Sequence, residues 1–131
     1  NAKKIGKIND YLTYYVIHEK SETTIRDEKI FDILKIVDMI VKELKTVDFP
    51  NEEITNLITM ILTDYTIQQR YIKDKNSRNQ FINQAFNYLD NFDSNWKKCN
   101  YLKKFVYLKR LVKTNKLLTK IYCDLYSFRH N

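Results

Sequence analysis

A chain of 131 residues with one glycine, Gly6, and one proline, Pro50, has few ways to turn sharply. Antiparallel β architectures turn about every 8–12 residues, and those turns draw on Gly and Pro for backbone angles that other residues avoid. Long helices joined by polar loops need far fewer such residues. The scarcity therefore predicts an all-α protein. The length suits a single core, so residues 1–131 read as one helical domain. With 44% hydrophobic and 30% charged residues the balance is globular, and disorder is excluded.

Apolar spacing divides the chain into six helices. Ile5, Ile8, Leu12, Tyr15 and Val16 recur at helical intervals and predict an amphipathic first helix over 3–19. "SETT" (21–24) breaks it, with Thr24 as a cap for the next. A second helix is expected from Asp27 to Lys45, with an apolar arc too wide for one covering neighbour. "VDFPNEE" (47–53) is the clearest stop and start. Pro50 ends one segment, Asn51 is a candidate cap, and Glu52 and Glu53 suit the positive end of a helix dipole. A third helix runs to about Gln69, "KDKNS" (73–77) reads as a loop, and a fourth helix starts at Ser77. "NFDS" (91–94) is a tight connection, and Asp93 or Ser94 can cap a fifth helix over 95–113. After "KTN" (113–115), Leu117, Leu118, Ile121, Tyr122, Leu125 and Phe128 mark a sixth.

The fifth segment raises the main question, because Ser94–Asn115 holds seven Lys or Arg among ten apolar or aromatic residues. Apolar side chains fall on nearly every side of a helical wheel there, which predicts a buried central helix. Trp96, Leu102, Phe105 and Val106 are its expected core residues. Lysine stems near the helix ends can lie along apolar neighbours while their ammonium groups reach water, so Lys97, Lys98, Lys109, Arg110 and Lys113 are expected at the surface. Lys97 and Lys98, in the expected first turn, are candidate anion ligands.

The net charge of +7 is concentrated. Residues 93–131 hold ten Lys or Arg against two Asp, and residues 1–92 are close to neutral. Such a field favours an anionic partner without choosing its kind. Little suggests catalysis. The single glycine rules out a Gly-rich phosphate loop, and no HExxH, GxSxG or Cys/His nucleophile pair occurs. His18 beside Glu19 reads as a solvated pair. Cys99 and Cys123 form no CxxC and have no His at ligand spacing, so they read as reduced buried thiols and no metal or cofactor is expected. No apolar run is long enough to span a bilayer. The tyrosines are scattered over several helices, which argues for core edges over base stacking.

"NWKKCNYLKKFVYLKRLVKTN" (95–115) resembles the central segment of ENTH domains, the epsin N-terminal homology modules of endocytic adaptors. Those carry Asn-Trp, then basic residues, then a long apolar helix ending in a Lys-Thr-Gly or similar turn. Leu89 stands seven residues before Trp96, as in the family. "DFPNEEITNLITMILTDYT" (48–66) is similar to the family's Asp-Pro-Trp-Gly-Pro turn and the helix after it, without the Trp-Gly pair, and "LYSFRHN" (125–131) to its Leu-x-x-Phe stretch. The likeness covers residues 36–131, leaving 1–35 as an N-terminal helix and extension.

The resemblance implies a right-handed superhelical bundle of about six to eight helices, of the ENTH/VHS kind. It also implies a non-catalytic, monomeric adaptor in vesicle trafficking, cytoplasmic and peripheral to endosomal, Golgi or plasma membranes. The implied partner is a cargo protein, SNARE or coat component, and anionic phospholipid is a weak second ligand. Lys42, Lys97 and Lys98 are the implied lipid ligands, while basic positions of the family's pocket fall on Tyr88, Ser94 and Tyr101. The family's lipid-inserting helix corresponds to 2–12, which would turn Lys3, Lys4 and Lys7 toward a membrane. The alternatives are a helical interaction scaffold of another kind, such as a transcription-factor module, or a basic nucleic-acid-binding domain, the least favoured of the three.

Overall fold

The computed structural model describes residues 28–130. Every regular element among them is helical, in keeping with the shortage of turn residues. The predicted helix over 3–19, the Thr24 cap, His18 and Lys3, Lys4 and Lys7 lie outside the described residues.

A 3₁₀ turn, Glu28–Phe31, leads into α1, Asp32–Thr46. Phe31 packs edge-on against Phe81, with centroids 5.7 Å apart, which ties this entry to the core. Val37 and Val41 are buried, and Ile33, Leu34, Ile40 and Leu44 are half-buried beside them. α1 stops where Asp48 takes a left-handed φ of 53° and the Phe49 amide reaches back to the Leu44 carbonyl at 3.1 Å. Asp tolerates that backbone region better than most residues, and the returning amide satisfies a free helix-end carbonyl.

Pro50 then precedes α2, Asn51–Gln68. The expected Asn51 cap is not formed, and Asn51 is already helical. The Glu53 and Ile54 amides instead bond the Pro50 carbonyl at 3.0 and 3.1 Å. α2 is the central helix, touching each of the other α-helices. Ile54, Ile58 and Leu62 form one buried line, and Thr55, Thr59, Thr63 and Thr66 another. Threonine is tolerated there because its hydroxyl can bond the preceding turn. Thr63 donates to the Thr59 carbonyl at 2.7 Å and Thr66 to that of Thr63 at 2.8 Å.

A second 3₁₀ turn, Gln69–Tyr71, leads to α3, Lys75–Phe92. The helix starts two residues before Ser77, because Asp74 is the cap and accepts from the Ser77 amide at 2.7 Å. That hydrogen bond holds the Asp74 carboxyl below its ordinary pKa. Phe81, Ile82, Ala85, Phe86 and Leu89 fill the core. Thr55 donates to Asp93 at 3.0 Å, joining the start of α2 to the end of α3 as an antiparallel pair.

The largest departure from expectation follows. Residues 95–113 are not one helix but a 3₁₀ turn, Trp96–Lys98, then α4, Asn100–Lys103, then α5, Tyr107–Thr114. The breaks fall at Cys99 and Val106, whose ψ angles of 157° and 153° are extended. A straight helix with apolar residues all round must be surrounded on all sides, and this chain already places α2 there. The breaks let Trp96, Cys99 and Leu102 enter the core and turn Val106, Tyr107 and Leu108 outward. α6, Lys116–His130, follows after Asn115, whose side chain accepts from the Leu118 amide at 3.1 Å. Both cysteines are free and buried. Burial pushes the Cys123 thiol up to about 11, which keeps it neutral and unreactive near pH 7.

Candidate functional site

The predicted core residues of the broken segment divide. Trp96 and Leu102 are fully buried. The Trp96 indole packs edge-on against Phe86 and donates to Asp90 at 2.7 Å, so its one polar group is satisfied. Phe105 is half-buried. Val106 is not core: it is 73% exposed, because the extended backbone at that residue rotates the chain away from α2.

The predicted anion ligands are scattered in role. Lys97 and Lys98 are exposed on a single 3₁₀ turn, without the free amides and dipole of a long helix start. The Lys97 ammonium lies 5.7 Å from the Trp96 ring centre. Lys42 sits on α1, paired with Asp38 at 2.7 Å, and its hydrogen bond lowers the Asp38 pKa. Tyr88 donates to the same carboxylate at 3.5 Å, and Ser94 is exposed.

Lys113, expected at the surface, is buried and pairs with Asp64 of α2. Tyr101 donates to the same Asp64 oxygen at 3.0 Å. Burial, then this hydrogen bond, pushes the Tyr101 pKa up, which keeps the phenol a donor. The ammonium lies 4.9 Å from the Phe105 ring centre and 5.5 Å from that of Tyr101. The cluster pins α5 to α2 by a cation with its charge matched and its stem against aromatic faces.

A second cation cluster pins α6. Arg78 is buried and donates to the Ile72 and Lys73 carbonyls at 2.6 and 3.0 Å, to Ser127 at 3.3 Å and to Asp124 at 2.6 Å. Lys75 also pairs with Asp124 at 2.9 Å. Burial works to raise the Asp124 pKa, but the bonds from Lys75 and Arg78 prevail and hold it low. Lys73, Lys75, Arg78, Asp124, Ser127 and Phe128 line a shallow cleft of about 710 Å³. Nearby, Arg70 donates to Tyr122 and Tyr71, each at 2.8 Å, and stacks 5.0 Å from the Tyr126 ring centre. None of these polar groups was suggested by a local pattern.

What remains is apolar surface. On α6 the buried positions are Thr119, Cys123 and Ser127, all small, while Leu117, Ile121, Leu125 and Phe128 face out. At about 100° per residue these four fall within one narrow arc, roughly opposite the buried line. Leu117 and Leu125 are each 65% exposed and Phe128 89%. The helix is thus inverted relative to an ordinary surface helix. α5 repeats the pattern, with Lys113 buried and Tyr107 and Leu108 outside. α5 and α6 together carry six Lys or Arg and one Asp. Among the described residues a second exposed apolar surface lies on α1, at Ile36 and Met39, and Val47 follows at its end.

No group of His, Cys, Asp or Glu among the described residues could hold a metal ion. No helix among them is long and apolar enough to cross a membrane. No family model, curated protein or solved structure matches the chain.

Proposed function

We propose that this chain is a non-catalytic adaptor domain that holds a protein partner on the outer face of α5 and α6. The observation that carries the reading is the inversion of α6, which places four large apolar side chains on solvent and three small residues in the seam. Contiguous apolar surface rimmed by charge is characteristic of interaction sites. The surrounding cations fit a partner helix with an apolar stripe and acidic flanks. A second copy of the chain fits less well, since it would bring Lys116, Lys120 and Arg129 against their own kind.

The resemblance of residues 36–131 to ENTH domains supports reading such an adaptor as one of vesicle trafficking, with a right-handed superhelix of helices and a cargo, SNARE or coat protein as partner. Anionic membrane is a weaker ligand, because Lys42 is already paired and Lys97 and Lys98 stand on a short turn. Each exposed lysine contributes about 1 kcal/mol at an anionic surface, screened by salt.

Affinity capture with the intact chain and with Leu125→Asp plus Phe128→Asp tests the reading, provided the captured protein is then purified and rebound alone. The expected result is binary binding that the double variant abolishes and Ile36→Asp leaves intact. Salt-sensitive binding to nucleic acid that ignores the double variant would replace the adaptor reading with the basic-domain alternative.

A further inference from the structure

The cleft between the start of α3 and the end of α6 holds three cations whose partners are unequal. Arg78 lines it while only 4% exposed, held by the Ile72 and Lys73 carbonyls, Ser127 and Asp124. Its buried Nε–H has no hydrogen-bond acceptor among the described residues. Asp124 accepts from Arg78 through one carboxylate oxygen and pairs with Lys75 through the other. Lys73 is exposed, and its ammonium has no partner among the described residues. Asp74, between the two lysines, turns its carboxylate to the Ser77 amide and is not part of the lining. Three cations thus face one carboxylate, and the cleft keeps an excess of positive charge.

Given the docking face on α5 and α6, on which this inference rests, we propose that the cleft binds a carboxylate side chain of the partner helix, an Asp or Glu set one turn from the apolar residue that covers Phe128. Phe128 joins the two surfaces. It is 89% exposed and belongs both to the apolar arc of α6 and to the lining of the cleft. On a helix, residues three or four apart share a face, with about 5–6 Å between their Cβ atoms. A partner residue lying on Phe128 therefore brings a neighbour one turn away to the mouth of the cleft.

The chemistry of the lining selects the sign of the ligand. Lys73 supplies an unpaired ammonium, and Lys75 keeps donors free after its pairing with Asp124. Both can make charge-assisted hydrogen bonds to a carboxylate. Arg78 is already held in place by its backbone and side-chain acceptors, so its positive charge needs no ordering when the ligand arrives. A Lys or Arg at the same point of the partner meets all three cations and is rejected by like charge. Asp124 stands among the cations, which favours a single carboxylate over a doubly charged phosphate.

The test selects a phage-displayed library of amphipathic helical peptides, with leucines fixed on one face and the other positions randomised, on the full chain. The expected peptides are lost on the Leu125→Asp plus Phe128→Asp variant and carry Asp or Glu at one position, three or four residues from an apolar anchor. Lys73 is exposed and unpaired, so Lys73→Glu should unfold at the parent's temperature, and selection on it should turn that position to Lys or Arg. For one selected peptide, changing its acid to the amide should weaken binding to the parent about three- to tenfold, and binding to Lys73→Gln less than about twofold. Peptides that need Leu125 and Phe128 but show no acidic preference, or whose preference survives Lys73→Glu, would overturn the cleft assignment and leave the docking face standing. Failure to select any peptide that depends on Leu125 and Phe128 would overturn both.

Discussion

α1 and α6 both leave large apolar side chains uncovered, but they do so in opposite ways. On α1 the exposed residues extend an apolar arc that already reaches the core through Ile33 and Ile40. On α6 they stand behind a seam of the small residues Thr119, Cys123 and Ser127, flanked on one side by half-buried Leu118 and Tyr122. Charge separates them as well. Residues 32–48 hold four Asp or Glu and three Lys, while α5 and α6 are strongly cationic. On α1 the exposed apolar residues border the core of a nearly neutral helix. On α6 they form the inverted, cationic face on which the proposed partner would sit. Neither distinction is visible from counting exposed hydrophobics.

The core beneath both faces sets the upper limit of any effect. Trp96 is fully buried, packs on Phe86 and satisfies its indole through Asp90. Trp96→Ala should cost about 3–5 kcal/mol and disorganise both surfaces together. A denaturant midpoint close to that of the parent chain would mean the two faces are not built on one core.

Removing the pins should discriminate between the faces. Lys113→Ala leaves Asp64 without its cation and α5 without its anchor to α2. Because Asp64 is half exposed, water relieves part of the loss, and a cost of about 1–3 kcal/mol is expected. The loss should fall on the α5–α6 side, with amide exchange rising there before it rises in α1. Uniform exchange would show that the hairpin is not a separate unit.

Acid should act on the same side. Asp124 has a lowered pKa when folded, so its contribution is present above the unfolded value and is lost as pH falls through the folded one. Below about pH 4 the Arg78 and Lys75 contacts weaken and the C-terminal part of α6 should loosen first. Asp124→Asn should remove that acid-dependent step while leaving the α1 side unchanged, as followed by exchange from neutral pH downward.

How much of this was legible in the sequence depends on the distance between partners. The stop at Pro50, the acidic first turn of α2 and the junction at Asn115 rest on neighbours a few residues apart. The breaks at Cys99 and Val106 do not, since neither is Gly or Pro and both arise because α2 already fills the space that a straight helix would need. The Arg78–Asp124 pair joins residues 46 apart and Lys113–Asp64 residues 49 apart. Lys113 is legible as a cation in an apolar segment, but its burial is not. The inversion of α6 is likewise invisible, because Leu117, Ile121, Leu125 and Phe128 have the spacing of a core face.

Single substitutions on the two faces sharpen the contrast at smaller cost. Leu125→Asp should leave stability within about 0.5 kcal/mol of the parent, since that residue is 65% exposed among the described residues. Ile36→Asp should cost about 1 kcal/mol, because Ile36 is only 48% exposed and the change places a carboxylate beside half-buried Ile33 and Ile40. Equal tolerance at both positions in thermal unfolding would erase the difference between the faces.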